Sequence, residues 1–435
     1  MKRLLVIALI FSSLININAQ EIVLLNYNIL GKKFNKSEVN IKDEKKGIAS
    51  KTWFERGKLL QQIYIIDLEY IAEGTGSTEF KLYYKELLEE VTDEEDSSAQ
   101  IYKFDRINYY FANGKLSKWE RTKMVTENPL DKALEAYIKT LEFDAKQKYP
   151  EKVKEQLLLL KGNYMQNGIN SYYFDDYENA LHNFSKVLEV NKLDLFEGEI
   201  DTLMIQYSGI MARELKDYEK SAGFYTQLAD LDWGGANIYL NIKNDYLAIE
   251  DSLSAIAIME KGFEKYPDTL NIVANLVDLY VRTNKIEEGL ETIDAAIAKS
   301  PEKGDLYYWK GRLLLNTDTD DRIDLALEVY KKAVEFNQSL YYVYYDIGFI
   351  YFLQGQDIYS QAGMERDTDR RAQINEIATE KYNLSIPMMT KAFELNNENQ
   401  DIKRETLDVL KRVYYKLYGV EDSRYLDIME KINNL

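Results

Sequence analysis

Cysteine is absent from the 435 residues, and histidine occurs once, at His182. Without thiols, disulfides and thiolate metal sites are excluded, and so is the lipidated cysteine that tethers exported bacterial lipoproteins. His182 stands beside Leu181 and Phe184 with no acidic or metal-type partner at useful sequence spacing, so it reads as a surface or packing residue. Zinc sites and Cys-His or Ser-His-Asp catalysis then have nothing to be assembled from. No glycine-rich phosphate loop of either common pattern occurs. Only 5 prolines and 21 glycines interrupt the chain, which makes long helices easy and an all-β reading poor.

Positive charge is also short, with 55 basic against 73 acidic residues and a net charge of −18. That field repels nucleic acid and anionic membrane, so no nucleic-acid partner is expected. The acidic excess reads as a solvated surface, with a cationic partner as the second account. Carboxylates alone can support glycosidase-type hydrolysis, so composition leaves that chemistry open, although no spacing favours it. Asn316-Thr317-Asp318-Thr319-Asp320-Asp321 has the alternating oxygens of a calcium loop. Its sixth place lacks the required glycine and its twelfth is Leu327, so it reads as a polar turn. Asp201-Thr202-Leu203, Asp251-Ser252-Leu253 and Asp268-Thr269-Leu270 resemble weak O-glycosylation triplets.

One apolar stretch stands out, Leu4 to Leu14, behind Lys2-Arg3 and before Asn18-Ala19-Gln20. It is too short to span a bilayer and has the layout of a secretory signal peptide, residues 1–19, with cleavage after Ala19. Loss of Lys2 and Arg3 takes the net charge from −18 to −20. The mature chain is then expected to lack a transmembrane segment and to be periplasmic or secreted.

Tyrosine is abundant, with 35 residues against 16 phenylalanines and 4 tryptophans. Its ring packs while its hydroxyl stays wet, which suits thin helices that are apolar on one side. The chain also keeps a beat. Pro267 and Pro301 lie 34 residues apart, each ending a helix-like run, and steps of 34 align Ile210, Asn244, Asp278 and Arg312. Such a period means one helical hairpin repeated. Small residues mark close helix crossings: Gly168 before Ala180, Phe184 and Val187, then Gly209 before Tyr225 and Leu228. Asp176-Tyr177-Glu178 and Asp217-Tyr218-Glu219 open second helices with an N-cap and an acidic first turn.

Tyr344, Ile347, Gly348 and Tyr351 keep the W-x2-L-G-x2-Y spacing, and the chain resembles the tetratricopeptide repeat family over most of 161–399. The layout is also similar to exported tetratricopeptide proteins of Gram-negative bacteria, through Trp53-Phe54-x-x-Gly57, Pro129-Leu130-x-x-Ala133 and Leu407-x-x-Leu410-x-x-x-Tyr414. The resemblance implies an all-α, right-handed superhelical solenoid of about seven antiparallel hairpins. It further implies a non-catalytic scaffold that binds a peptide or protein partner of the cell envelope, with no cofactor, metal or catalytic residue. A glycan-binding accessory protein and a carboxylate-dependent hydrolase are the alternatives. First helices of the family line a concave groove, which here would present Asn244, Asp278, Tyr308, Arg312, Tyr342, Tyr345 and Phe349. The lysine-and-asparagine carboxylate clamp of some relatives is not reproduced.

The expected organisation is a divergent first unit at 20–150, a repeat array at 151–399 and capping helices at 400–435. Trp53 to Lys58 opens the first unit, Asp131 to Asp144 closes it, and about 65 residues, 63–128, interrupt it. Asn113-Gly114 invites a hairpin turn, but flanking alternation is weak, so helices with a loop are expected there. A second insertion, near 354–380, carries the charged run Met364 to Arg371, expected as a solvated loop or short helix. Mass analysis of the N-terminus is expected to find Gln20 as the first residue; a chain still beginning at Met1 contradicts the cleavage.

Overall fold

A computed structural model describes residues 27–68, 74–83, 89–92 and 99–435. The signal-peptide residues 1–19 and the acidic run Asp93 to Asp96 lie outside them. The chain forms two compact units, divided between Asp245 and Tyr246.

The first unit opens with α1 (Tyr27–Asn40), α2 (Ser50–Ile65) and the short α3 (Ser77–Tyr83). An antiparallel sheet follows, β1 (Glu89–Thr92), β2 (Ala99–Lys103), β3 (Ile107–Ala112) and β4 (Lys115–Arg121), in the order β1-β2-β3-β4. Then come α4 (Pro129–Glu142), α5 (Pro150–Tyr172), α6 (Tyr177–Asn191), α7 (Thr202–Glu214), α8 (Tyr218–Asp230) and α9 (Ala236–Ala248), inside which the unit ends. Helices pair as α2 with α4, α5 with α6, and α7 with α8. The first hairpin therefore closes across residues 66–128, as its two ends in the sequence predict.

The sheet corrects the expectation of helices with a loop. Asn113 and Gly114 both have positive φ, 51° and 73°, the two-residue turn that matches strand twist. Ile107, Tyr109 and Phe111 are buried and alternate with half-buried Asn108, Tyr110 and Ala112. The outward Tyr110 disguised that alternation as a continuous aromatic run. A bulge between Tyr110 and Phe111 shifts the register, so Leu116 and Trp119 are both buried although three residues apart. Phe80 meets Tyr109 and Phe111 edge-on at 4.9 and 5.1 Å, which seals α3 against the sheet.

The second unit contains α10 (Ser252–Lys265), α11 (Leu270–Arg282), α12 (Ile286–Lys299), α13 (Gly304–Leu314) and α14 (Arg322–Phe336). It ends in α15 (Tyr341–Met364), α16 (Thr368–Leu395), α17 (Gln400–Tyr418) and α18 (Ser423–Asn433). The second insertion lengthens both arms of the α15–α16 hairpin. Its charged run is the tight turn at the tip, where Asp367 accepts from the Asp369 and Arg370 amides at 3.0 and 2.9 Å.

The beat is visible in the backbone. Lys216, Glu250 and Asn284, 34 residues apart, all have positive φ in the turns just before α8, α10 and α12. Asp176, Asp201, Asp217 and Asp251 each cap the following helix, accepting an amide three residues on at 3.0–3.2 Å. Capping is thus the physical account of the Asp-Tyr-Glu pair and of two of the three Asp-Thr/Ser-Leu triplets.

Within hairpins, a ring sits where one helix has only a glycine. A Cβ on Gly57 would lie 2.5 Å from the Tyr137 ring, and one on Gly168 2.6 Å from Phe184. Gly209 faces Tyr225, Gly311 faces Tyr330 at 2.2 Å, and Gly355 faces Tyr382 at 2.8 Å. Gly162, on the same helix as Gly168, faces open space. Gly168→Ala is expected to destabilise by about 2 kcal/mol through overpacking. Gly162→Ala should instead stabilise by roughly 0.5–1 kcal/mol through helix propensity. Urea melts giving both substitutions the same sign contradict the seat.

Candidate functional site

Within the second unit the expected groove aromatics fall into two clusters. Asn244, in the first unit, is exposed. Asp278 is exposed on α11 and pairs with Arg282 one turn on, at 2.8 Å. In the second unit Tyr308 is buried, stacked on Tyr330 with ring centres 5.7 Å apart and tilted against Tyr342 at 4.6 Å. The Tyr342 hydroxyl donates to Asp305. Tyr345 and Phe349 stack on each other at 5.7 Å but join a different cluster with Phe352 and Leu407, and the Tyr345 hydroxyl donates to Glu405 of α17 at 2.9 Å.

What unites Tyr308, Arg312 and Tyr330 is a residue that the sequence did not single out, Asp346. Its carboxylate lies 3.8 Å from the half-exposed Arg312 guanidinium and accepts a long bond, 3.4 Å, from the Tyr330 hydroxyl. Burial pushes the Asp346 carboxyl up to about 6, against the opposing pull of Arg312 and of the Tyr330 and Tyr308 hydroxyls. Burial and the same carboxylate push Tyr308 up to about 12.

A larger opening lies in the first unit, a cleft of about 430 Å³ bounded by α2, β4, α4, α5 and α6. Pro129 starts α4 and places Asp131 in its first turn, where a carboxylate is favoured. Asp131 accepts from the Tyr164 hydroxyl at 2.8 Å and lies 2.9 Å from His182 Nε2. His182 therefore has the acidic partner that sequence spacing did not show, because 51 residues separate them and only the fold brings the two side chains together. Burial and Asp131 hold the Tyr164 hydroxyl far above its usual range. The walls carry Asn167, Asn170, Asn179 and Asn183. Asn170 binds the Trp119 peptide at two points: its carbonyl accepts the Trp119 N–H and its amide donates to the Trp119 C=O, both at 2.9 Å. Among the described residues no group of three His, Asp or Glu is placed to hold a metal.

Both places rest on first helices seated by glycine against second-helix rings, Gly168 on α5 and Gly311 on α13. The repeated helical hairpins have a tetratricopeptide-type fold. No protein-family profile and no curated protein matches the chain. Solved structures similar to it include a tetratricopeptide repeats protein of Bacteroides fragilis, at 17% identity and TM-score 0.34, covering 57% of this chain and 97% of that one. The C-terminal part of a tetratricopeptide repeat-containing protein of Cytophaga hutchinsonii has 16% identity and TM-score 0.34, with 65% and 95% covered. MamA has 16% identity and TM-score 0.28, with 41% and 92% covered. At such likeness nothing of their function transfers.

For Asp346 the burial has a pH consequence. Its folded pKa, about 6, exceeds the ordinary 3.8, so the fold favours the protonated form. Stability contributed by Asp346 falls as pH rises through about 4 to 6, and the cost is complete above that. Relative to wild type, Asp346→Asn should gain roughly 2–3 kcal/mol between pH 4 and pH 7. Denaturant melts with a constant difference across that window contradict the assignment.

Proposed function

We propose that the chain is a non-catalytic scaffold of the cell envelope that holds a peptide or protein partner, and that the partner docks in the cleft of the first unit. The observation that carries this reading is Asn170. A side-chain amide presents an N–H and a C=O side by side in one plane, matching the N–H and C=O of a single residue in an extended strand. Asn170 already grips one such unit, Trp119 of the protein itself. Asn167, Asn179 and Asn183 line the same cleft, their amides joined in a chain in which Asn167 donates to Asn183 at 3.1 Å, Asn183 to the Asn179 carbonyl at 2.6 Å and Asn179 to Asp176 at 2.6 Å. Peptide backbone is the natural complement of such a wall.

The signal-peptide pattern of residues 1–19 supports export, and among the described residues no helix is long and apolar enough to cross a membrane. The sugar-binding alternative asks for aromatic faces open to a ligand. Tyr308, Tyr342, Tyr345 and Phe349 are each engaged by neighbouring rings, which favours packing for them.

Met124 lines the cleft and is exposed, so it can carry a photocrosslinking residue without disturbing the core. Irradiating cells that make the protein is expected to give a covalent adduct from position 124. A control at Glu421, exposed in the turn before α18, should give none. No adduct at 124, or the same adduct at both positions, contradicts docking in the cleft.

A further inference from the structure

Two of the three Asp-Thr/Ser-Leu triplets are occupied by capping, with Asp201 and Asp251 accepting the Met204 and Ser254 amides at 3.0 Å. The third, Asp268-Thr269-Leu270, has no such account. Asp268 pairs instead with Lys303, its side chain 73% exposed. Thr269 takes the N-cap place of α11, yet its hydroxyl makes no cap bond.

The triplets also differ in the backbone that carries the hydroxyl. Thr202 and Ser252 are the first residues of α7 and α10, so each lies on a helix beside the side chains three and four places on. Thr269 stands in extended backbone, φ −87° and ψ 105°. Successive side chains of an extended chain point to opposite faces, so each can be gripped apart from its neighbours.

Exposure follows the same division. Asp201, Thr202 and Leu203 are all half-buried, and Asp251 and Ser252 are half-buried ahead of an exposed Leu253. Thr269 is itself half-buried, but Asp268 and Leu270 on either side of it are exposed, Leu270 by 51%. Pro267, also exposed, precedes them and fixes its own φ. The turn between α10 and α11 therefore presents a carboxylate, a hydroxyl without a cap bond and an aliphatic side chain in one short run. An enzyme can hold the first by charge and the third by apolar contact while it works on the hydroxyl between them.

We propose that Thr269 is an O-glycosylation site, modified after export by a glycosyltransferase that reads Asp268 and Leu270 beside it. The donor is a sugar activated as its anomeric diphosphate. Thr269 Oγ attacks the anomeric carbon, and the new C–O bond forms as the bond to the diphosphate breaks. The diphosphate leaves with the electron pair, and the hydroxyl proton passes to a base of the transferase. The product is a bulky polar group at the surface. Glycosylation here depends on export but not on the cleft, so it is separable from peptide docking.

The test weighs the full chain purified from its native cells. Its intact mass is expected to exceed that of the mature sequence by a glycan, and fragmentation that preserves side-chain modifications should place the glycan on Thr269. Thr269→Val should remove it, and Thr269→Ser should restore it. Asp268→Asn keeps the hydroxyl and should lose the glycan too. Thr202→Val and Ser252→Ala should keep it, and a chain lacking residues 2–19 should be bare. A bare wild-type mass, a glycan that survives Thr269→Val or Asp268→Asn, or an increment of one phosphoryl group overturns the assignment.

Discussion

An aromatic ring lying where its partner helix has only hydrogen lets two helices approach more closely than a side chain at that position would allow. Tyr137 over Gly57, Phe184 over Gly168, Tyr330 over Gly311 and Tyr382 over Gly355 are all such seats, each too tight for a Cβ. The ring buries a large apolar area in one contact, and the missing side chain sets the interhelical distance. The device tolerates variation in what surrounds it. In the α11–α12 hairpin the roles reverse, with Gly289 on the second helix and Tyr280 on the first. At Gly348 a methionine, Met389, takes the place of the ring. Because each seat is a local lock between two helix faces, the connection between them is free to grow. That freedom explains how α2 and α4 stay paired while residues 66–128 leave, build a sheet and return.

The same packing ties together the two compositional oddities, excess tyrosine and excess acid. Many tyrosines bury more of themselves than a half-wet surface residue would, so their hydroxyls need acceptors inside the protein. Carboxylates supply them: Tyr164 donates to Asp131, Tyr280 to Glu260, Tyr342 to Asp305 and Tyr345 to Glu405. A backbone carbonyl serves Tyr109, which donates to Asp67. Among the described residues Tyr382 has a hydroxyl buried without a partner. Part of the acidic excess is thus structural. Asp245 shows the pattern with a cation, fully buried yet held by Arg213 at two points, 2.7 and 2.9 Å, and by Ser221 at 2.6 Å.

The repeat was legible in the sequence because its signs are local. Glycines, caps and the left-handed turn residue lie within one hairpin, and the pairing of Trp53–Gly57 with Asp131–Tyr137 could be read across the gap because each half keeps its own pattern. The sheet was not legible, since Tyr110 on its outer face hides the period of two. Asp131 and His182 were not paired in the reading because nothing local joins α4 to α6. Asp346 was passed over as one acid among many, although it sits between two residues that the groove pattern did select. Helix-face reasoning placed Tyr345 and Phe349 beside Tyr308, but the lengthened α15 and the closing α17 draw them into a separate cluster. Local pattern fixed the repeats, and long-range packing built the cleft and the cluster around Asp346.

The cleft is a by-product of that arrangement. The insertion departs from one hairpin and docks against the next, so β4 lies beside α5 with an asparagine between them. Everything proposed for the first unit depends on α2 and α4 being locked through Gly57 and Tyr137 despite the insertion. A double-mutant cycle of Gly57→Ala and Tyr137→Ala tests this most directly. If the ring fills the glycine seat, the alanine methyl costs stability with Tyr137 present and little with it gone, giving a coupling of about 1–3 kcal/mol. Additive effects, within about 0.5 kcal/mol, would contradict the lock and with it the account of the cleft.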